Sequence, residues 1–596
     1  MRTLNKLFFL ISSSEKKKAV LLLFMIIIMA IIDMIGVASI FPFVAVLTNP
    51  SLIETNFILN NVFQVSKKFG IQNNHQFFIF IGVFLFLLLI ISLTFKAITT
   101  YVQLRFIQLC EYSIGRRLLK AYLQQPYSLF LSRNTSYFRT NILSEVQEII
   151  NAGMTPIMEF ISKGLIAILL IFLLIMVNPK LAFTICISLG CVYFLIIYFV
   201  KNYLHRIGQE RTMNNQLRFK VINEAFGALK EIKFGGLEEV YIKNFSNSAK
   251  FFAKTTASAK IIAMSPRFIL EAAAFGGIII LILYLLTQTG DFNSALPILS
   301  LYIFVGYRLM PILQQIYVSI TGFSFVSPSL DKIYFDLKKF EPLNKDRIYT
   351  QAALPLNKTI SLKNISYNYP NSNFTVLDNI NLTINAKSCV GLVGSTGSGK
   401  TTLVDIILGL LEAYSGRLEV DGEAISNENL KSWQRSIGYV PQNIYLSDDS
   451  VKANIAFGVE LKNINEDLVI KVSKIANLHD FVMNKLPKKY ETTIGERGVR
   501  LSGGERQRIG IARALYHNPK VLILDEATSA LDNQTEKIVM EAINNLSKNV
   551  TIILIAHRLN TVKKCEKIFL LDKGKLKREG TYTELFQLND FSNNNY

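Results

Sequence analysis

Long apolar runs constrain this chain most. "AVLLLFMIIIMAIIDMIGVASIFPFVAVL", "FFIFIGVFLFLLLIISLTF" and "GLIAILLIFLLIMV" approach or exceed the roughly 20 apolar residues a helix needs to cross a bilayer. Inside hydrocarbon no water satisfies backbone N–H and C=O groups, so such a run must close its hydrogen bonds on itself. The runs predict six membrane helices near residues 19–47, 77–100, 155–177, 180–200, 266–288 and 294–320. Lys16, Lys17 and Lys18 precede the first; Arg105, Arg116, Arg117 and Lys120 follow the second; basic residues from Lys201 to Lys260 fill the gap after the fourth. Positive charge marks the cytoplasmic side. The turn "NPK" and the segment "TQTGDFNSA" then face outward.

The stretches 101–154 and 201–265 keep helical periodicity, which extends the helices well below the bilayer. "QQPYSLFLSRNTSYF" (124–138) and "NEAFGALKEIKFGG" (223–236) are the expected turns, marked by Pro126 and by Gly235 with Gly236. Each is expected to hold a short helix that touches a soluble domain. In segment 51–70, Leu59, Val62, Phe63 and Phe69 share one helical face, which suits either a helix lying on the outer membrane surface or one covering the end of the bundle.

Five cysteines without CxxC spacing exclude a disulfide framework and a structural zinc site as the basis of the fold. The run "LFFLI" before "SSSEKKK" carries no cleavage site and is expected to be retained. Beyond "SLDKIYFDLKKFEPLNKDRIYTQ" strands alternate with helices and no run is long enough to span. The expected organisation is a six-helix membrane domain over 1–340, a linker over 341–355 and a soluble α/β domain over 356–596.

That second domain carries the chemistry. "GSTGSGKT" (Gly394, Ser395, Thr396, Gly397, Ser398, Gly399, Lys400, Thr401, followed by Thr402) satisfies G-x-x-x-x-G-K-[ST] between the apolar strand "CVGLV" and an amphipathic helix. Glycines let backbone N–H groups curl around phosphate oxygens, and the helix N-terminus adds its positive end. Lys400 is placed for the β- and γ-phosphates of ATP and Thr401 for Mg²⁺. "VLILDE" ends in Asp525, placed for the Mg²⁺ shell, and Glu526, placed to orient or deprotonate the attacking water. "LSGGERQR" (501–508) supplies a second small-residue helix start suited to a γ-phosphate.

With these motifs the sequence resembles the ATP-binding cassette exporters over essentially its whole length. The resemblance implies a polytopic all-α membrane domain with long cytoplasmic extensions, fused to an α/β P-loop cassette domain that uses ATP and Mg²⁺. It implies that Ser502, Gly503 and Gly504 contact ATP held by the other subunit, that Gln442 of "YVPQN" senses Mg²⁺ and γ-phosphate, and that His557 of "IAHRL" is the switch histidine. Asp532 of "SALD" matches the loop that follows, "IGERG" (494–498) resembles the segment touching the membrane helices, and Tyr369 aligns with the adenine-stacking aromatic, with Tyr367 close by. One nucleotide domain per chain implies a homodimer with two complete sites, in the inner membrane of a bacterium and without nucleic acid as a partner.

Cargo is read from the membrane half. Arg308 lies inside the sixth span, Arg267 near the cytoplasmic start of the fifth with Glu271 one turn away, and Lys96 near the cytoplasmic end of the second. A basic residue at the bilayer centre costs about 2.5–3.5 kcal/mol on insertion scales, so it faces a wet cavity or a partner. Lys96 is also placed to snorkel, and Glu271 to pair with Arg267. "NKLFFLISSSEKK" and "SPSLDKIYFDL", with these segments, resemble the PglK-like bacterial flippases of lipid-linked oligosaccharides. Lipid A-type flippases and multidrug or peptide exporters are the alternatives, and a cassette ATPase without transport is disfavoured by six spans.

Overall fold

The computed structural model describes residues 2–48, 73–177, 179–268, 292–340, 352–370, 374–495, 498–527, 531–547, 549–556 and 559–586, with scattered positions in 60–66 and 271–283 and at 372. The chain divides into two compact units: Met1–Gln125 with Arg133–Leu343, and Pro126–Ser132 with Asn344–Tyr596.

The first unit is helical throughout its described residues. Helix α1 (Ser13–Ala38) starts on a reciprocal cap in which Ser12 N donates to Glu15 Oε2 at 2.7 Å and Glu15 N donates back to Ser12 Oγ at 3.4 Å. A cap of this kind contributes about 1 kcal/mol. Helix α2 (Asn74–Leu123) has 50 residues, about 75 Å at 1.5 Å per residue, more than twice the hydrocarbon thickness. The long rods expected from periodicity are therefore present, as are α3 (Thr155–Val177), α4 (Pro179–Gly227) and α5 (Phe292–Lys339). Among the described residues four segments are long and apolar enough to cross a membrane: Ser13–Leu47, His75–Leu123, Thr135–Val177 and Leu301–Lys339. The span expected at 180–200 lies within continuous helix α4, whereas most of the one at 266–288, most of the 51–70 segment and most of the 341–355 linker lie outside the described residues.

The two expected turns differ. The first holds a short helix, Tyr127–Ser132, which groups with the second unit; the second holds Leu229–Gly235, which stays with the first. Gly236 closes the latter in the left-handed region (φ 60°), a conformation glycine adopts without steric cost, with its N–H donating to Ile232 O.

Ahead of α3 the helix loosens into two π-helical stretches, Asn141–Glu145 and Ile150–Met154. They accompany a buried polar core. Glu145, fully buried, accepts from Arg211 at 2.7 Å, Ser329 at 2.6 Å and Asn215 at 2.7 Å, and Arg211 also reaches Glu148 at 3.0 Å. Asp336 accepts from Tyr122 at 2.5 Å and Tyr137 at 2.9 Å. Because a buried charge stripped of its partner costs about 3–5 kcal/mol, this network fixes the relative positions of α4, α5 and the helix preceding α3.

The second unit contains two sheets. β1 (Thr359–Asn368), β2 (Thr375–Asn385), β4 (Ser415–Val420) and β5 (Glu423–Ala424) form an antiparallel sheet in the order β2-β1-β4-β5. β3 (Cys389–Gly394), β6 (Ile437–Val440), β7 (Val521–Asp525), β8 (Thr551–Ile555), β9 (Lys567–Asp572) and β10 (Lys575–Gly580) form the other, in the order β10-β9-β3-β8-β7-β6. Strands β9, β3, β8, β7 and β6 run parallel. β7 and β8 are buried at every position, as their unbroken apolar sequences require for strands covered on both faces. One core packs Ile509, Ile511, Leu515, Val539 and Ile543 beneath this sheet; the other packs Leu403, Val404, Ile407 and Trp433 among strand residues of both sheets.

Candidate functional site

Open parallel sheets bind ligands beyond the carboxyl ends of their strands. Here four adjacent strands deliver the motifs to that edge. β3 ends at Gly394, β7 at Asp525, β6 two residues before Gln442, and β8 two residues before His557. His557 itself is outside the described residues, as are parts of the "SALD" and "IGERG" segments.

The loop between β3 and helix α6 (Lys400–Ile407) is shaped by its glycines. A Cβ on Gly394 would collide with the Leu571 carbonyl, and one on Gly399 (φ 97°) would lie 2.7 Å from Leu377 Cδ2. Ser395, Thr396 and Gly397 are exposed, while Ser398 is 1% exposed and its Oγ has no hydrogen-bond partner among the described residues. A buried orphan hydroxyl beside exposed loop backbone at a helix N-terminus fits a polyphosphate. Lys400 Nζ donates to the Gly394 and Ser395 carbonyls at 2.8 and 2.9 Å. Burial lowers its basicity and the Glu526 and Asp525 carboxylates oppose that shift, so the acidic pair acts directly on the lysine.

Glu526, in the left-handed region at φ 48°, accepts from Gln442 Nε2 at 2.9 Å. Two residues 84 positions apart thus meet at the strand edge. Asp525 is buried and hydrogen-bonded by Tyr439, whose hydroxyl is pushed above the ordinary tyrosine range mainly by burial. The Thr401 hydroxyl, the Gln442 amide oxygen and the Asp525 carboxylate are hard oxygen donors of the kind Mg²⁺ takes. Tyr369 is half-buried and its hydroxyl lies 2.9 Å from Thr402 Oγ1, whereas Tyr367 is only 5% exposed and packs in the core. Of the two tyrosines, Tyr369 is the one available to a ligand. Asp405 is a further acidic group that the motifs do not flag: burial, with Asp525 adding repulsion, pushes its carboxyl up to about 6.

Ser502 caps helix α7 (Gly503–Tyr516), with Glu505 N donating to Ser502 Oγ at 3.3 Å and Ser502 N donating to Glu505 Oε2 at 2.7 Å. Ser502 is exposed, so this helix start is presented at the surface together with half-buried Gly503 and Gly504. Asp532 likewise caps α8 (Asn533–Leu546), accepting from Thr535 N at 2.9 Å and Thr535 Oγ1 at 2.7 Å.

In the membrane unit the basic residues separate into two kinds. Arg308 is paired: its Nη2 bonds Asp33, 2% exposed, and its Nε donates to Asp33 Oδ2 at 3.3 Å. Of the wet cavity or partner that an arginine inside a span requires, the structure gives Arg308 a partner, Asp33 within the first apolar run, which the sequence reading did not name. Arg267 is exposed and pairs with Glu271 at 2.8 Å, the structural alternative raised by their spacing. Lys96 is half-buried and close enough to Lys163 for the two charges to repel, with Glu159 nearby and bonded to Gln315. Replacing Arg308 with Ala is expected to cost about 3–5 kcal/mol by stranding Asp33, and adding Asp33→Ala should restore most of it. Thermal unfolding of the purified variants in detergent checks this.

Residues 43–307 match the family described as the ABC transporter transmembrane region, and residues 377–529 match the ABC transporter family. An ATP-dependent lipid A-core flippase of Syntrophus aciditrophicus is 40% identical over 296 residues, 50% of this chain and 47% of that protein. A Staphylococcus aureus protein provisionally named for multidrug export is 29% identical over 523 residues, 86% of this chain and 88% of that one. The chain spans about half the length of several curated relatives it matches. A solved structure of a bacterial Atm1-family ABC exporter with ATP bound shares the fold with a TM-score of 0.75 at 20% identity, covering 94% of this chain and 96% of that one. The chain joins an ABC transporter transmembrane region and an ABC transporter domain in one polypeptide, in the fold of an ABC exporter.

Proposed function

We propose that the chain is an ATP-driven exporter of the bacterial inner membrane, working as a homodimer that moves an anionic amphiphile between leaflets. The observation that carries the ATP half is the gathering of Lys400, Asp525, Glu526 and Gln442 on one sheet edge. Bound Mg²⁺ would neutralise phosphate charge as the terminal phosphoryl group departs. The protein's own contributions are separable. The Gly394–Thr402 loop binds phosphate through backbone N–H groups and the Lys400 ammonium. Thr401, Gln442 and Asp525 supply the metal's oxygen donors. Glu526 holds the attacking water and takes its proton, oriented by the Gln442 amide. Tyr369 stacks on the base. Ser502, Gly503 and Gly504, on an exposed helix start, complete the site of the opposite subunit, with Asp532 at the same boundary and His557 beyond β8 closing on the terminal phosphate.

For cargo, the proposed class is an amphiphile with a phosphate-bearing head, held at Lys96 and Lys163. With Arg308 committed to Asp33 and Arg267 to Glu271, the charges of Lys96 and Lys163 act on one another, and the Glu159 carboxylate acts on Lys163. Like charges held together in a membrane domain favour an anion between them. A lipid-linked oligosaccharide is the specific cargo proposed, on the resemblance of the terminal and juxtamembrane segments; a lipid A-type lipid has the same headgroup chemistry. Arg308 and Arg267 then act on cargo only through the field of the site they help to build.

The test is cargo-stimulated ATPase activity in nanodiscs. Polyprenyl-pyrophosphate oligosaccharide is expected to raise turnover of the wild type but not of Lys96→Ala/Lys163→Ala, whose basal rate stays unchanged. Stimulation by lipid A alone would replace the oligosaccharide with that lipid. Stimulation only by cationic drugs, undiminished in the double variant, would overturn the anionic class.

A further inference from the structure

Two of the five cysteines, 176 positions apart in sequence, meet in the second unit. Cys389 opens β3, the strand that runs into the phosphate loop, and Cys565 stands two residues before β9, its parallel neighbour. Their Sγ atoms are 3.2 Å apart, and both residues are almost fully buried, 4% and 6% exposed. The backbone on both sides is fixed. Glu566 N donates to Cys389 O at 2.9 Å, Cys565 N donates to Val562 O at 2.9 Å, and Val390 lies in register with Lys567. Disulfide bonding needs the sulfurs to approach by only about 1.1 Å, within reach of side-chain rotation between adjacent strands.

We propose that Cys389 and Cys565 form a reversible disulfide, a thiol–disulfide exchange site at the foot of the phosphate-loop strand. Access is through a surface cleft lined by Cys389, Glu541, Asn545, Ser547, Lys564 and Glu566. The hydrogen bond from Cys565 favours thiolate at Cys389, while the same bond and then burial push the Cys565 thiol up, so the cleft-side sulfur is the better nucleophile. With a low-molecular-weight disulfide as oxidant, the Cys389 thiolate attacks one of its sulfurs and expels the first small thiolate. Cys565 then attacks the Cys389 sulfur, gives its proton to the released thiolate, and expels the second. One external disulfide is reduced to two thiols as the protein's two thiols become one disulfide. In a reducing cytoplasm such a bond forms only under oxidative conditions, which makes the pair a sensor or a protective staple. Since it ties the strand end opposite the phosphate loop, the staple constrains the unfolded chain without displacing Lys400.

The experiment equilibrates the full-length native protein with glutathione and glutathione disulfide, then alkylates after denaturation. The wild type is expected to lose two of its five alkylatable thiols, to yield a Cys389–Cys565 linked peptide that dithiothreitol reverses, and to unfold at a higher denaturant concentration with ATP turnover within twofold of the reduced form. Cys565→Ser should trap a glutathione adduct on Cys389. A wild type that keeps all its thiols across the whole glutathione range, or that accumulates a stable adduct or another cysteine pair, overturns the proposal. This reading of the wild-type protein decides it even if a variant fails to fold.

Discussion

Glu526→Gln is expected to bind ATP with near-normal affinity and to hydrolyse it about 10² to 10⁴ times more slowly. The substitution keeps the shape of the side chain and removes the carboxylate that can accept a proton. In the wild type that carboxylate accepts from Gln442 Nε2 at 2.9 Å and sits in the field of Lys400. The phosphate loop, Lys400 and Tyr369 are untouched, so affinity has no reason to fall. Steady-state turnover measured beside equilibrium nucleotide binding separates the two effects. Hydrolysis within about threefold of wild type would remove the assigned role, since a positioned base contributes far more than that.

The second large effect is expected in mixed dimers. A chain with Lys400→Ala has a defective phosphate loop and an intact Ser502 turn, and a chain with Ser502→Arg has the reverse. Each variant alone should be inactive, because every site in its homodimer carries one defect. Co-assembled at equal amounts, half of the dimers are mixed, and in each of these one of two sites joins two intact motifs. About one quarter of all composite sites are then restored, as two-fold symmetry requires. The surface exposure of Ser502, already capping its own helix through Glu505, is what a trans-acting element needs. No recovery in mixtures whose co-assembly has been verified would mean that each chain completes its own site.

How much of this was legible in the sequence depended on the range of the interaction. The phosphate loop and the buried strands β7 and β8 are written in a few consecutive residues, since a glycine turn and a doubly covered strand are local requirements. Gln442 beside Glu526 was reachable because both lie at ends of strands the sequence already marked. The Arg308–Asp33 pair joins residues 275 apart, and Glu145 with Arg211 joins residues 66 apart across helices. Nothing in either local segment names its partner; the ionisable residue in an apolar run is only half of that statement. The two π-helical stretches were also hidden, because extra residues in a helix are absorbed by tertiary packing without a composition signal. The same holds for Cys389 and Cys565, which follow no short cysteine spacing.

The central claim, ATP-driven movement of an anionic lipid between leaflets, is tested most directly in liposomes holding the purified dimer and a fluorescent polyprenyl-pyrophosphate oligosaccharide. Leaflet occupancy is followed by an impermeant quencher, with and without ATP and Mg²⁺. The expected result is translocation that requires both, disappears in Glu526→Gln and falls at least tenfold in Lys96→Ala/Lys163→Ala. Translocation at the same rate without ATP, or undiminished in Glu526→Gln, would contradict the account.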